Sequence, residues 1–218
     1  MSKINLKKIT AITIDGRRFD EERYTRFKDI VSFMSEKIEF HSIKMFLVQD
    51  PEIPGVEFYR IKNFGISDYS RFCLHNLYDN VDSDYCLIFQ DDGFVLNPHL
   101  WDDEFLKYDY IGSPWPLYIG WPEEGRQVGN GGFSLRSKKL LEYSKSLTSH
   151  STENEDTYLL NSNRENLVKF GINIAPLDIA RKFSVENPLD DDHNLDTCFG
   201  FHAMHLLNDA IKKIKGTI

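Results

Sequence analysis

The chain has few basic residues for its size, few cysteines and no long apolar run. Lys and Arg number 26 against 34 Asp and Glu, a formal net charge of −8. That balance excludes nonspecific nucleic-acid binding, which needs a basic surface to displace counterions from phosphate. A divalent ion and a few arginines can still reverse the field locally for an anionic substrate. The three cysteines, Cys73, Cys86 and Cys198, are an odd number without metal-ligand spacing, each among apolar neighbours. They read as reduced, buried thiols and point to the cytoplasm. The basic start Met1–Lys8 has no long apolar segment behind it, and no stretch approaches the ~20 apolar residues that span a bilayer. No integral membrane segment is expected. With no internal repeat, low-complexity tract or linker, residues 1–218 read as a single domain.

What is present is strand and helix in alternation. Ile9–Ile14 is apolar and β-branched, and stops at Asp15-Gly16. Over Asp20–Ile38, apolar residues at steps of three and four (Tyr24, Phe27, Val31, Met34, Ile38) predict an amphipathic helix. Lys44–Val48 and Val56–Ile61 read as short strands, and Ser67–Tyr78 as a second helix. Farther on, a strand is expected at Tyr108–Gly112, broken by Ser113-Pro114-Trp115-Pro116. Helices are expected at Arg136–Leu147 and Asp156–Phe170, the latter stopped by Gly171, and a late strand at Ile172–Ala175. The pattern implies an α/β fold with a mixed, mostly parallel sheet flanked by helices.

The most informative segment is Cys86-Leu87-Ile88-Phe89-Gln90-Asp91-Asp92-Gly93, an apolar run ending at two carboxylates and a glycine. Ligands in open α/β sheets bind beyond the carboxyl ends of such strands, and carboxylate oxygens there suit Mg²⁺ or Mn²⁺. A solvated acidic turn is the competing explanation. Three further features follow in order: the glycine-rich Gly129-Asn130-Gly131-Gly132-Phe133-Ser134, the pair Glu155-Asp156 at a helix start, and Phe199-Gly200-Phe201-His202. The glycine-rich segment lets backbone N–H groups approach a ligand, or makes a tight turn. It lacks the Lys-Ser/Thr pair of a phosphate loop. Glu155 and Asp156 suit either a general base or a helix start, where carboxylates are favoured anyway. Asp190-Asp191-Asp192-His193 reads as a solvated acidic loop.

That order of features resembles the GT-A glycosyltransferases over roughly residues 9–205. It is most similar to a small GT-A-like family with segments like Gln90-Asp91-Asp92-Gly93-Phe94, Gly112-Ser113-Pro114-Trp115 and Gly129–Ser134. The resemblance implies a Rossmann-type nucleotide-binding half, about 9–93, and an acceptor and catalytic half, about 94–205. It implies transfer of a sugar from a nucleoside-diphosphate donor, expected to be UDP-linked, to a hydroxyl of a carbohydrate or other acceptor. Mn²⁺ or Mg²⁺ is the implied cofactor, held by Asp92 and His202, and Asp156 is the implied general base with Glu155 beside it. Thr13, Asp15, Arg17, Arg71, Gln90 and Asp91 are expected around the nucleotide. Trp115, Gly131 and Gly132 are expected around the acceptor, with Tyr118 and Trp121 as further stacking candidates. Gln90 stands where many GT-A enzymes have the first acid. That departure leaves open a non-catalytic nucleotide- or carbohydrate-binding module with a decayed site. The strand-end Thr13-Ile14-Asp15-Gly16 also resembles haloacid-dehalogenase-type phosphatases, but Thr13 stands in the nucleophile's place.

Overall fold

The computed structural model describes residues 3–120, 122–147 and 153–216. The first strand, β1 (Ile4–Asp15), is buried over its last seven residues and lies inside the sheet. Helix α1 (Glu21–Lys37) follows, capped by Asp20, whose carboxylate accepts the Arg23 N–H. It runs without a loop into β2 (Ile38–Leu47), a strand twice as long as Lys44–Val48 suggests. Then come β3 (Glu57–Arg60), α2 (Ile66–His75), α3 (Leu77–Asn80) and β4 (Tyr85–Ile88).

The second half is more irregular. After β5 (Tyr110–Ile111), strand β6 (Ser134–Ser137) turns directly into α4 (Lys138–Lys145). Arg136 is therefore in a strand rather than the expected helix. Pairing with β4 and β5 on both sides overrides local propensity, and the helix begins only where the Ser137 hydroxyl caps the Leu140 N–H. The expected helix Asp156–Phe170 is broken into α5 (Glu155–Thr157), a π-helical turn (Tyr158–Ser162) and α6 (Arg164–Lys169). The break falls at Asn163, whose N–H reaches back five residues to the Tyr158 carbonyl while its side chain donates to the Tyr143 hydroxyl. Ile172–Ala175 runs beside β5 with a single bridge, Tyr110 to Ile174, and forms no strand. Helix α7 (Leu177–Phe183), the short pair β7 (Ser184–Val185) and β8 (Gly200–Phe201), and α8 (Leu207–Ile214) complete the described strands and α-helices.

The main sheet has six strands in the order β3-β2-β1-β4-β6-β5. The pairs β3–β2, β2–β1 and β1–β4 are parallel, and β6 is antiparallel to both neighbours. Alternate residues of the parallel strands feed two cores. Ala11, Met45 and Leu87 pack with Phe27, Val31 and Met34 of α1 on one face. Ile12, Ile14, Phe46, Cys86 and Ile88 pack with Tyr69, Cys73, Leu77 and Leu141 on the other. The strand order reverses between β1 and β4, the switch point at which open α/β sheets form their ligand crevice. The last β1–β4 pair is Ile12 with Ile88, so Thr13–Arg17 and Phe89–Asp92 run on past it from neighbouring strands.

Candidate active site

Two adjoining cavities open at this switch point. The first, about 260 Å³, lies over the end of β1, walled by Thr13–Arg17, Phe27, Phe64–Ile66, Tyr69 and Gln90. The second, about 220 Å³, is bounded by Trp115, the loop Asn130–Gly132, Asn154–Asp156, Glu186 and His202. Ile66, Tyr69 and Gln90 belong to both walls. The first cavity is mostly apolar and contains one buried polar group without a hydrogen-bond partner, the Thr13 hydroxyl. A buried hydroxyl left unpaired costs roughly 1–3 kcal/mol, and Thr13 is part of this cavity's wall.

The acids of the strand ends divide their work. Asp91 is fully buried and lies in neither cavity wall. Its Oδ1 receives Arg17 Nη2 (2.5 Å) and its Oδ2 receives Arg26 Nη2 (2.7 Å). Burial pushes this carboxyl up, but the Arg26 hydrogen bond and the Arg17 charge outweigh it and leave it below the usual range. Asp91 is thus an anchor for two guanidinium groups, which corrects its expected place against the nucleotide. Asp15 holds the other side of Arg17 through Nε (2.8 Å) and also pairs with Arg23. Arg17, half-exposed at the rim of the first cavity, is a cation fixed by two carboxylates. Arg71 lies on α2 outside both walls, 3.8 Å from Asp68, so its expected nucleotide contact finds no support in its position.

His202, in the wall of the second cavity, approaches Asp92, which like Asp91 lies in neither wall. His202 Nε2 lies 3.7 Å from Asp92 Oδ1 and 3.2 Å from Gln90 Oε1. A Cβ at Gly93 or Gly132 would run into the His202 ring, so glycine at both positions makes the cradle that seats it. Two oxygens and a ring nitrogen this close fit a hard divalent ion, which keeps several ligand positions for water and substrate oxygens. Among the described residues no group of three His, Cys, Asp or Glu converges, so the set works only with the Gln90 amide or a substrate oxygen included.

At the second cavity, Glu155 is buried against Arg136 at 2.9 Å and contributes its edge to the wall. Burial and the neighbouring Asp156 raise its carboxyl to about 6 against the pull of Arg136. It is therefore tied to a buried guanidinium while also bordering the cavity. Asp156 faces the same cavity and accepts Gly131 N–H on Oδ2 (2.9 Å) and Thr157 N–H on Oδ1 (2.7 Å). The helix cap is Asn154, not Asp156. Trp115 is 4% exposed, packs its ring on Gly129 and lines the second cavity. Tyr118 is exposed and donates to the Pro188 carbonyl, away from both walls. Trp121, like Ser151 and Thr152, lies outside the described residues. All three cysteines are buried and free, and burial raises the Cys86 thiol to about 12 and Cys198 to about 11.

Asn130 was visible in the sequence only as a member of the glycine-rich loop, yet it is buried at φ +62° and hydrogen-bonds His202. Asn is one of the few residues that tolerates that backbone, which is the signal an Asn among glycines carries. Glu186 and Asn154 carried no signal at all.

A family model matches residues 55–202, from β3 through His202. The chain belongs to DUF5672, described as a protein of unknown function. None of the curated proteins matches this DUF5672 chain. Among solved structures it is similar to a glycosyltransferase involved in the glycosylation of the major capsid of PBCV-1. That likeness has TM-score 0.55 and 12% identity, covering 95% of this chain and 98% of the other. It also aligns with the inositol-1-phosphate CTP transferase from T. maritima (TM-score 0.49, 11% identity, 97% of each chain). A third is A197 from STIV (TM-score 0.43, 13% identity, 77% and 80% covered). At such identities the first likeness shows the fold alone, and this chain shares the fold of that glycosyltransferase.

Proposed function

We propose that the chain transfers a sugar from a nucleoside-diphosphate donor, UDP-linked by preference, to a hydroxyl of a carbohydrate or other acceptor. The observation that carries this reading is the pair of cavities joined at Gln90, one apolar with a fixed cation, the other ringed by carboxylates. A nucleoside fits the first, where the Thr13 hydroxyl gains a partner on the base or ribose and Phe64 and Tyr69 supply apolar walls. Arg17, already fixed by Asp15 and Asp91, meets phosphate without first having to be ordered.

Asp92 and His202, with Gln90 Oε1 beside them, are the residues that would hold Mn²⁺ or Mg²⁺. The ion would neutralise negative charge building on the departing diphosphate. Asp156 takes the acceptor hydroxyl's proton as that oxygen bonds to the anomeric carbon and the bond to diphosphate breaks. The loop Asn130–Gly132 and Trp115 form the wall against which the acceptor is oriented. The whole chain, 1–218, works as one unit in this scheme, its first half holding the donor and its second the acceptor.

The test is a thermal-shift series with nucleoside diphosphates, each with and without Mn²⁺. A ligand of the folded state adds about RT ln(1 + [L]/Kd), roughly 2.7 kcal/mol at a hundredfold excess over Kd. One nucleotide should raise the melting temperature more with the ion than without. A flat response across uridine, guanosine, cytidine, adenosine and thymidine diphosphates would remove the donor half of the proposal.

A further inference from the structure

We propose that Asn130 decides which nitrogen of His202 carries the ring proton. One group in this set has no choice: the backbone N–H of Gly132 can only donate, and it donates to Asn130 Oδ1 at 3.0 Å. The amide is thereby oriented with Nδ2 toward His202 Nδ1, also at 3.0 Å. An amide NH₂ donates and does not accept, so Nδ1 accepts and the neutral ring holds its hydrogen on Nε2. That hydrogen is directed at Gln90 Oε1 (3.2 Å), and Gln90 Nε2 donates onward to the Tyr69 hydroxyl (3.0 Å). Four hydrogen bonds run in one direction, from the glycine-rich loop to the boundary of the two cavities. Asn130 is itself held by the Tyr110 hydroxyl, which donates to its carbonyl at 3.1 Å.

The consequence bears on the ion, and that part rests on the function proposed above; the tautomer does not. A metal-ligating histidine offers a lone pair at one nitrogen and donates N–H from the other, usually to a carboxylate or carbonyl. Asn130 imposes the reverse on His202. To offer Nε2, the ring must shift its proton to Nδ1, with no net gain or loss, and the Asn130 amide must give way. Glu186 Oε1, 3.9 Å from Nδ1, is the acceptor at hand for that proton. Asn130 is therefore a positioning residue that holds the resting ring as a hydrogen-bond donor. Asn130→Asp keeps the shape, the Gly132 bond and a residue that tolerates this backbone, but puts an acceptor where the donor was.

The decisive readout is the long-range ¹H–¹⁵N correlation spectrum of labelled histidine at about pH 8, above the ordinary histidine range, with His202 assigned by its loss in His202→Gln. The wild-type ring should show the Nε2–H pattern, Asn130→Asp the Nδ1–H pattern, and Asn130→Gly, which keeps the backbone and drops the side chain, a mixture. Mn²⁺ titration by electron paramagnetic resonance without nucleotide should find Asn130→Asp tighter by about tenfold or more. An Nδ1–H pattern in the wild type, or an unchanged pattern in Asn130→Asp, overturns the proposal. A reversed tautomer with unaltered Mn²⁺ affinity upholds the role of Asn130 and counts against the ion. Should Asn130→Asp fail to fold, the wild-type and Asn130→Gly spectra decide.

Discussion

Asp156→Asn separates catalysis from scaffolding at one atom pair. In the wild type both carboxylate oxygens are engaged, Oδ2 by Gly131 N–H at 2.9 Å and Oδ1 by Thr157 N–H at 2.7 Å. Asparagine keeps one acceptor and presents an NH₂ to whichever N–H remains. One hydrogen bond to a charged group is therefore lost, a cost of about 1.5–3 kcal/mol in stability. If Asp156 is also the base, transfer falls by ~10² to 10⁴, equivalent to roughly 3–5 kcal/mol in the barrier. The expected variant melts a few degrees lower, binds nucleoside diphosphate as the wild type does, and transfers almost nothing. Calorimetry, melting and transfer assays on one preparation give all three values. Transfer within a few-fold of wild type, alongside the lower melting point, would show that Asp156 is only a latch between the glycine-rich loop and α5. The base assignment would then be refuted.

Other outcomes follow from the buried charges. Glu155 is raised to about 6 from a usual 4.5, so between those pH values the folded state holds more protons than the unfolded one. Stability should fall by about 2 kcal/mol as pH rises through that window, and urea titrations of Glu155→Gln should show the slope flattened. Removing Asp91 takes away the anion shared by Arg17 and Arg26, though Asp15 and Glu22 remain beside them, so Asp91→Ala should lose about 1.5–3 kcal/mol of stability and weaken nucleotide binding through Arg17, both measurable by denaturation and calorimetry. Trp115→Phe should raise the acceptor KM while leaving nucleotide affinity unchanged, because Trp115 borders the second cavity alone. A matching loss of nucleotide affinity would contradict that division.

The architecture of the first half was legible because its signals are local. The apolar runs ending in Asp15-Gly16 and Gln90-Asp91-Asp92 are central parallel strands, and their ends do lie side by side. The apolar spacing of Tyr24, Phe27, Val31 and Met34 does mark the buried face of α1. The second half resisted because its structure is imposed from a distance. Arg136 is a strand residue only because β4 and β5 pair with it, and Asn163 breaks a helical pattern through a hydrogen bond to Tyr143. The site shows the same divide. Asp91 and Asp92 are neighbours in sequence with equal chemistry, yet one is sealed between two arginines and the other faces His202. Nothing local distinguishes them, since Arg17 and Arg26 arrive from another part of the chain. The buried pairing of Glu155 with Arg136 was likewise invisible, since the two are brought together only by the fold.

The most direct test of the central claim is release of free nucleoside diphosphate from a panel of nucleotide sugars, with Mn²⁺ present, by wild-type protein and by Asp92→Ala. The account predicts turnover of at least one nucleotide sugar, faster with an acceptor hydroxyl, abolished by chelation and reduced ~10³-fold or more in Asp92→Ala. Nucleotide binding without turnover of any sugar in the panel would contradict it and leave a binding module in its place, and turnover undiminished by chelator or by Asp92→Ala would contradict the role given to the ion.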